Sequence, residues 1–218
     1  MKNVVIYGLG GHAEMTYSYM KYDQGFNIKA FTVEEQYITK KELFGVPVIP
    51  YKNLLEIYPP GENELFIAVG PHKLNTVREN LYNEIRSMGY SLVNCICKEA
   101  MIPHDCKMGD SIFIDPATGL HPFVELGNNV HLIDTKIAHH SKVGNHVFIS
   151  SVVLGGHVII EDNVFIGMNS VIKEEVVVGR GSIIGMGCVI KEDVPPYSVY
   201  SQPGTRRRNI DSRRLALF

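Results

Sequence analysis

Aliphatic residues recur at every sixth position through the second half of the chain. From Ile166, steps of six reach Ile172, Val178, Ile184 and Ile190, and the residue four places after each is small or β-branched. The same frame extends from about residue 102 to about residue 195. A six-residue period is typical of a β-helix, in which each hexapeptide forms one short strand and a turn. Three hexapeptides close one coil, which buries its aliphatic residues against its neighbours.

The frame is interrupted by two steps of five residues instead of six. They lie between Leu132 and Ile137 and between Ile149 and Leu154, which places them 17 residues apart, or about one coil. A single deletion would shift one coil against the next, whereas deletions at equivalent corners of adjacent coils keep the strands in register. We therefore predict one tighter corner in these two coils.

The first half alternates short hydrophobic runs with amphipathic stretches. The pattern predicts strands at 3–7, 28–33, 65–69 and 91–95, a short extended piece at 45–48, and helices at 13–20, 52–57 and 73–88. Alternating strands and helices are typical of a parallel sheet covered by helices. The predicted fold is a small α/β, Rossmann-like parallel sheet in residues 1–98, followed by a parallel β-helix of hexapeptide repeats in residues 99–218.

Composition narrows the classes of function. Hydrophobic residues make up 45% of the chain, charged residues make up 20%, and the net charge is −2. This balance argues against nucleic acid as a partner. The apolar run at the N-terminus is too short for a signal peptide or a membrane span, so we expect a cytoplasmic protein without a membrane partner. Four cysteines without paired zinc-binding spacing indicate reduced thiols, and we expect no metal.

A glycine-rich turn follows the first predicted strand. Gly8, Gly10 and Gly11 precede His12 at the start of a predicted helix. Backbone N–H groups of such a turn and of a helix N-terminus are able to bind a phosphate. The run lacks the spacing of a dinucleotide-binding motif, so a nucleotide site and a plain tight turn both remain open.

These features together resemble a known family. A strand, the motif G-x-G-G-H, about 100 residues of α/β structure and then hexapeptide repeats are similar to the bacterial nucleotide-sugar acetyltransferases. That family includes sialic acid O-acetyltransferases and UDP-amino-sugar N-acetyltransferases. The resemblance implies a left-handed β-helix and a homotrimer that binds acyl-CoA between neighbouring β-helices. It also implies that the α/β domain binds the nucleotide-linked sugar.

The resemblance assigns a catalytic base. The family has a histidine after an aliphatic residue, followed by an acidic residue, and this chain has Ile137, Ala138, His139, His140 and Ser141. His139 is therefore the expected base, and His140, which replaces the acidic neighbour, is counted with it as catalytic. A neutral imidazole accepts a proton at cytoplasmic pH, as acyl transfer to an amine or a hydroxyl requires.

The resemblance also implies two sets of residues that bind the substrates. The sugar nucleotide set comprises Gly8, Gly10, Gly11, His12, Val33, Glu34, Ala68, Val69 and Gly70. The acyl-CoA set comprises His146, Gly155, Gly167, Met168, Gly185 and Met186.

Several histidines share positions in the repeat. His140 and His157 occupy the same position 17 residues apart and should stack at one corner, as a site edge or as a surface ladder. His146 shares its position with Asn129 and Asn163, which fits a ladder of polar turn residues as well as an acyl-CoA contact. We expect structural roles for His104, His121 and His131.

The sequence favours one function over three others. We expect transfer of an acetyl or other short acyl group to the amine of a nucleotide-linked sugar, with O-transfer to a sugar hydroxyl as the alternative. Some hexapeptide β-helices bind zinc through three histidines between subunits, so a zinc-dependent hydro-lyase using His139, His140 and His157 is the second alternative. A non-catalytic oligomeric scaffold is the third.

Overall fold

The computed structural model describes residues 2–214, except for the side chain of Arg214. Residue 1, at the start of the first predicted domain, and residues 215–218, at the end of the second, lie outside this range. The N-terminal strands are β1 (Asn3–Tyr7), β2 (Asn27–Val33), β3 (Glu42–Leu43), β4 (Val46–Pro50) and β5 (Glu64–Ile67), and the helices are α1 (Gly11–Ser18), α2 (Leu54–Ile57) and α3 (Thr76–Ser87). None of the helices described here is long and apolar enough to span a bilayer.

The N-terminal sheet has the order β3-β4-β2-β1-β5. Strands β1, β2, β4 and β5 are parallel, as expected, but β3 pairs antiparallel with β4, so the expectation of a wholly parallel sheet is wrong at this edge. The cause is a two-residue turn, Phe44 and Gly45, with φ of 54° and 73°. Two such residues make the tight turn of an antiparallel hairpin.

Three elements of the structure differ from the sequence prediction in where they begin or end. Helix α1 begins at Gly11 and continues as a π-helical turn at Tyr19–Asp23. Helix α3 begins only at Thr76, because the three residues before it have positive φ values and cannot extend a right-handed helix. The strand predicted at 91–95 is replaced by a bridge between Leu65 and Leu92 and by a short strand that begins only at Cys95.

Residues 95–200 form short parallel strands that stack into three sheets. Sheet I contains β6 (Cys95–Ile96), β8 (Phe113–Ile114), β11 (His131–Ile133), β14 (Phe148–Ser150), β17 (Phe165–Ile166), β20 (Ile183–Ile184) and β22 (Val199–Tyr200). Sheet II contains β9 (Gly119–Leu120), β12 (Lys136–Ile137), β15 (Val153–Leu154), β18 (Val171–Ile172) and β21 (Val189–Ile190). Sheet III contains β7 (Lys107–Met108), β10 (Glu125–Leu126), β13 (Lys142–Val143), β16 (Ile159–Ile160) and β19 (Val177–Val178).

The hexapeptide frame is confirmed by this architecture, that of a left-handed parallel β-helix. The aliphatic position of every hexapeptide from Ile114 to Ile190 is buried along the axis, and Ile102 and Met108 pack against the same core. The two five-residue steps lie at the same corner of adjacent coils, because Leu132 pairs with Ile149 and Ile137 pairs with Leu154. Asp134 and Ser151, with φ of 49° and 50°, make the tight corner.

Helix α3 lies against the β-helix. The buried side chains of Asn75 and Arg78 donate to backbone carbonyls of three consecutive coils: Asn75 to Val164 (3.1 Å), and Arg78 to Asn129 (3.0 Å) and Val147 (3.1 Å). Strand β6 pairs with β8 although it precedes the proposed domain boundary at residue 98. The two halves are therefore joined by strand pairing and by buried side-chain hydrogen bonds.

We predict that Arg78→Ala lowers the free energy of unfolding by about 3–5 kcal/mol, because it opens a cavity and removes the donor to the Asn129 carbonyl. Urea unfolding monitored by circular dichroism measures the change. The control is Arg86→Ala, which removes an exposed arginine of the same helix that pairs with Asp110. It should lower the free energy of unfolding far less. Equal losses for the two variants would contradict a special role for Arg78.

Candidate active site

A cavity of about 1150 Å³ opens at the carboxyl ends of β1, β2 and β5. In a parallel sheet these ends meet at one edge, which is where such folds bind ligands. All nine residues of the predicted sugar nucleotide set line the cavity: Gly8, Gly10, Gly11, His12, Val33, Glu34, Ala68, Val69 and Gly70. The structure therefore brings together residues that lie far apart in sequence, and their role as ligand contacts stays a prediction.

The fold requires glycine at some positions of the turn and not at others. Gly8 has φ of +136°, and a Cβ there would lie 2.6 Å from the Ala68 carbonyl oxygen. The fold itself therefore requires glycine at this position. A Cβ on Gly10 or Gly11 would meet no atom within 4 Å, and neither residue has positive φ. These two glycines keep the cavity wall open at the start of α1.

Glu34 lies on the cavity wall and is held by a tyrosine. The Tyr7 hydroxyl donates to the Glu34 carboxylate, and Tyr51 packs edge-on against the Tyr7 ring at 5.2 Å. Burial, and then this carboxylate, raises the pKa of Tyr7. The tyrosine therefore stays protonated, which leaves the other Glu34 oxygen as an acceptor for a ligand hydroxyl.

His12 is paired with a histidine of the β-helix. Its Nε2 lies 2.9 Å from Nδ1 of His131, which is fully buried and stacks on Phe66. Burial, with the nearby Arg78 charge, lowers the pKa of His12 to about 4 and the pKa of His131 well below its usual range. Both rings are neutral near pH 7, so His12 faces the cavity as a hydrogen-bonding group and not as a cation.

The proton in this pair has a preferred position. Nε2 of His131 has no partner among residues 2–214, and a buried donor without a partner is costly. The neighbouring Arg78 charge also lowers the pKa of His131 and so disfavours a second proton on its ring. We therefore assign the proton to His131 Nδ1, which donates to His12 Nε2 and leaves His12 protonated on Nδ1.

The sequence did not predict the cavity residues that follow β5 along the chain. Lys73, Asn80 and Glu84 also line the cavity. Lys73 begins a run of three left-handed residues before α3, with φ of 49°, 54° and 59°. A lysine shortly after the end of β5 is the feature that could have indicated a cation at this edge.

The predicted catalytic histidines lie together at a corner of the β-helix between sheets II and III. Nδ1 of His139 is 3.1 Å from Nδ1 of His140, and the ring of His140 stacks on that of His157 with centroids 5.0 Å apart. The predicted stacking of His140 and His157 is thus confirmed. Phe123, one coil before His140, packs on the other side of the His140 ring at 4.8 Å. The ring of His139 lies over Gly156, where a Cβ would come within 2.9 Å of it.

The predicted acyl-CoA set does not form one group. Gly155 lies next to the histidine corner, since the Ser141 hydroxyl donates to its carbonyl. The pairs Gly167–Met168 and Gly185–Met186 stack in successive coils at the corner between sheets I and II, with both methionines exposed. His146 lies elsewhere: it is 9% exposed, 3.0 Å from the Asn129 amide and edge-on to Tyr82 of α3. We correct its assignment from acyl-CoA contact to interface residue, because α3 covers it.

Comparison with known proteins supports both domains. Residues 3–85 match the family model of the PglD N-terminal domain, and residues 157–192 match the bacterial transferase hexapeptide repeat. The chain thus joins a PglD-type N-terminal domain to transferase hexapeptide repeats. The resemblance inferred from the sequence is confirmed for both parts.

Solved structures share the whole fold. The acetyltransferase domain of PglB from Neisseria gonorrhoeae is 22% identical, with a TM-score of 0.81 over 89% of this chain and 94% of that one. A variant of GDP-perosamine N-acetyltransferase from Caulobacter crescentus, in complex with CoA and GDP-perosamine, is 24% identical, with a TM-score of 0.83 over 91% of this chain and 93% of that one.

A curated relative matches by sequence over part of its length. The bifunctional protein GlmU of Thermotoga maritima is 30% identical over 122 residues. That match covers 47% of this chain but only 27% of GlmU.

We predict that stability falls as the pH is lowered from about 7 toward 4. The unfolded chain binds a proton on each histidine near pH 6.5, whereas folded His12 binds one only near pH 4, so the folded state loses about 3 kcal/mol from His12 alone over this range. Urea unfolding at several pH values measures the slope. Replacing His131 by Asn removes one of the two buried titrating rings and should flatten the slope, while His104→Asn, at an exposed site, should leave it unchanged. An unchanged slope in the His131 variant would contradict this account.

Proposed function

We propose that this protein transfers an acetyl group from acetyl-CoA to the amino group of a nucleotide-linked sugar, with His139 as general base. The observation that carries the proposal is the combination, in one chain, of a cavity lined by all nine expected residues and an exposed histidine pair on transferase hexapeptide repeats. The Caulobacter neighbour, bound to CoA and GDP-perosamine, is an N-acetyltransferase and supports transfer to nitrogen over transfer to oxygen.

In this proposal the cavity binds the nucleotide part of the acceptor. The diphosphate lies against the backbone of Gly10 and Gly11 at the start of α1, where unpaired N–H groups favour anions. Lys73 supplies a positive charge at the same edge, and the free oxygen of Glu34 accepts a bond from a ribose hydroxyl. Neutral His12 donates from Nδ1 without adding charge.

His139 and His140 then act as one unit. The 3.1 Å contact places a proton between the two Nδ1 atoms. When His139 carries this proton on Nδ1 and donates a hydrogen bond to His140, its Nε2 has a free lone pair that removes a proton from the sugar amine. The amine attacks the thioester carbon, and the C–S bond breaks as the tetrahedral intermediate collapses. Protonated His139 then returns its proton to the sulfur, and CoA leaves as the thiol. His140 thus orients the base, as an acidic neighbour would.

Assembly as a homotrimer is part of the same proposal. The histidine corner and the Met168–Met186 corner lie on the two edges of sheet II. The outward side chains of sheet II between these edges include Val153, Val171 and Val189, each between 42% and 58% exposed. Covering this apolar face with a second copy would bring the histidine corner of one subunit toward the methionine corner of the next, with acyl-CoA between them. A cytoplasmic location and a role in polysaccharide biosynthesis complete the proposal.

We predict that His139→Ala lowers the rate of acetyl transfer by about 10²–10⁴, the usual effect of losing a general base. The release of free CoA thiol, with mass spectrometry of the product, measures the rate on UDP-, GDP- and dTDP-linked amino sugars. His104→Ala, at an exposed site outside the cluster, is the control and should keep the wild-type rate. A fully active His139→Ala enzyme would remove this residue from the mechanism.

We predict that Gly11→Val weakens binding of the nucleotide sugar by at least about tenfold, or about 1.4 kcal/mol, while the protein stays folded. A Cβ on Gly11 meets no protein atom within 4 Å, so we expect the side chain to collide with a ligand in the cavity. Isothermal titration calorimetry measures the affinity. Gly8→Val is the contrasting variant and should lose stability, because its Cβ would collide with the Ala68 carbonyl. Unchanged affinity in Gly11→Val would place the ligand elsewhere.

A further inference from the structure

Three imidazole rings converge at the histidine corner. His139, His140 and His157 are all exposed, and one nitrogen from each lies within 4.8 Å of the others. The centroid of the His139 ring lies 5.2 Å from the centroid of each of the other two rings. Acyl transfer as described above uses His139 and His140, so the third ring is not explained by the proposed reaction.

The backbone holds the three residues in this arrangement. His140 and His157 both have left-handed conformations, with φ of 59° and 58°, at the same corner of consecutive coils. The His157 N–H donates to the His139 carbonyl at 3.0 Å, which ties the two coils together beside the rings. Three ligand-bearing residues are thus preorganised on a rigid β-helix and not on a mobile loop.

The donor set is one that transition metals prefer. Imidazole nitrogens suit Zn²⁺, Ni²⁺, Co²⁺ and Cu²⁺, whereas Mg²⁺ and Ca²⁺ prefer oxygen ligands. Three nitrogens at about 2.0–2.1 Å in a tetrahedral complex lie about 3.3 Å apart. The 3.1 Å separation of the His139 and His140 nitrogens already meets this distance, and rotation of exposed rings is sufficient to bring in His157. The fourth position would face solvent and bind water.

We propose that His139, His140 and His157 bind one Zn²⁺ ion, and that the bound ion blocks acyl transfer. The blocking rests on the proposed function. When Nδ1 of neutral His139 coordinates the metal, the ring carries its proton on Nε2, so Nε2 has no lone pair to accept the proton of the acceptor amine. The ion also replaces the proton shared between His139 and His140. Zn²⁺ is here an inhibitor and not a cofactor, which separates this site from the zinc-dependent hydro-lyase alternative. All three ligands come from one chain, so the site does not depend on a second subunit.

Binding is tested on the full chain after removal of any affinity tag. Calorimetric titration with Zn²⁺, and the visible absorption of Co²⁺ as a reporter of tetrahedral nitrogen ligation, should show one ion per chain. His157→Ala should weaken binding at least about tenfold, since it removes a direct ligand. The matched control His104→Ala should bind as wild type does. Equal affinity of wild type and His157→Ala, or no binding with Zn²⁺ in excess, would overturn the site.

Inhibition is tested separately from binding. Zn²⁺ should abolish acetyl transfer by the wild type, and EDTA should restore it. For His157→Ala, each rate is compared with the metal-free rate of the same variant, and Zn²⁺ should then have little effect. Zn²⁺ binding that leaves the wild-type rate unchanged overturns the inhibitory role. Zn²⁺ binding by a protein that acetylates none of the amino sugars supports the site while refuting the proposed function.

Discussion

The buried contact between the N-terminal domain and the β-helix sets the position of the cavity relative to the histidine corner. Arg78 is a cation without exposed surface, and it has no carboxylate partner among residues 2–214. Burial lowers the pKa of its guanidinium to about 9, so the fold retains the charge at a cost. The backbone carbonyls of Asn129 and Val147 and the face of Phe148, 5.6 Å from the guanidinium carbon, offset part of that cost. Two small domains thereby become one scaffold.

The same contact links the cavity to the β-helix. His12 belongs to the turn that lines the cavity, yet its hydrogen-bond partner His131 is an outward-facing residue of sheet I. The His12 ring, which lines the cavity, is therefore oriented by the domain that also carries the proposed base.

Much of this arrangement was predictable, because repeat and strand periodicity are local properties. The hexapeptide frame fixed which residues point to the axis, and equal spacing placed His140 beside His157. The nine cavity residues were expected from the family resemblance, and they come together because parallel strands end at one edge of the sheet. The pairing of His131 with His12 and the burial of His146 under α3 could not be predicted, because they depend on how two distant segments dock. The β3–β4 hairpin was missed because its two-residue turn, Phe44 and Gly45, lacks the usual asparagine or aspartate.

The replacement of an acidic residue by His140 changes the chemistry of the corner. A carboxylate next to the base would add a negative charge and accept a proton with either oxygen, whereas a neutral imidazole accepts through one nitrogen and adds no charge. A sugar amine needs only to lose a proton before it attacks, so a pair of neutral rings is sufficient. The cost of this solution is selectivity toward ions, because three neutral imidazoles attract the soft divalent metals that a lone histidine beside a carboxylate binds less well. If His139 is the base, as we propose, the substitution that suits nitrogen transfer thus also exposes that base to metal.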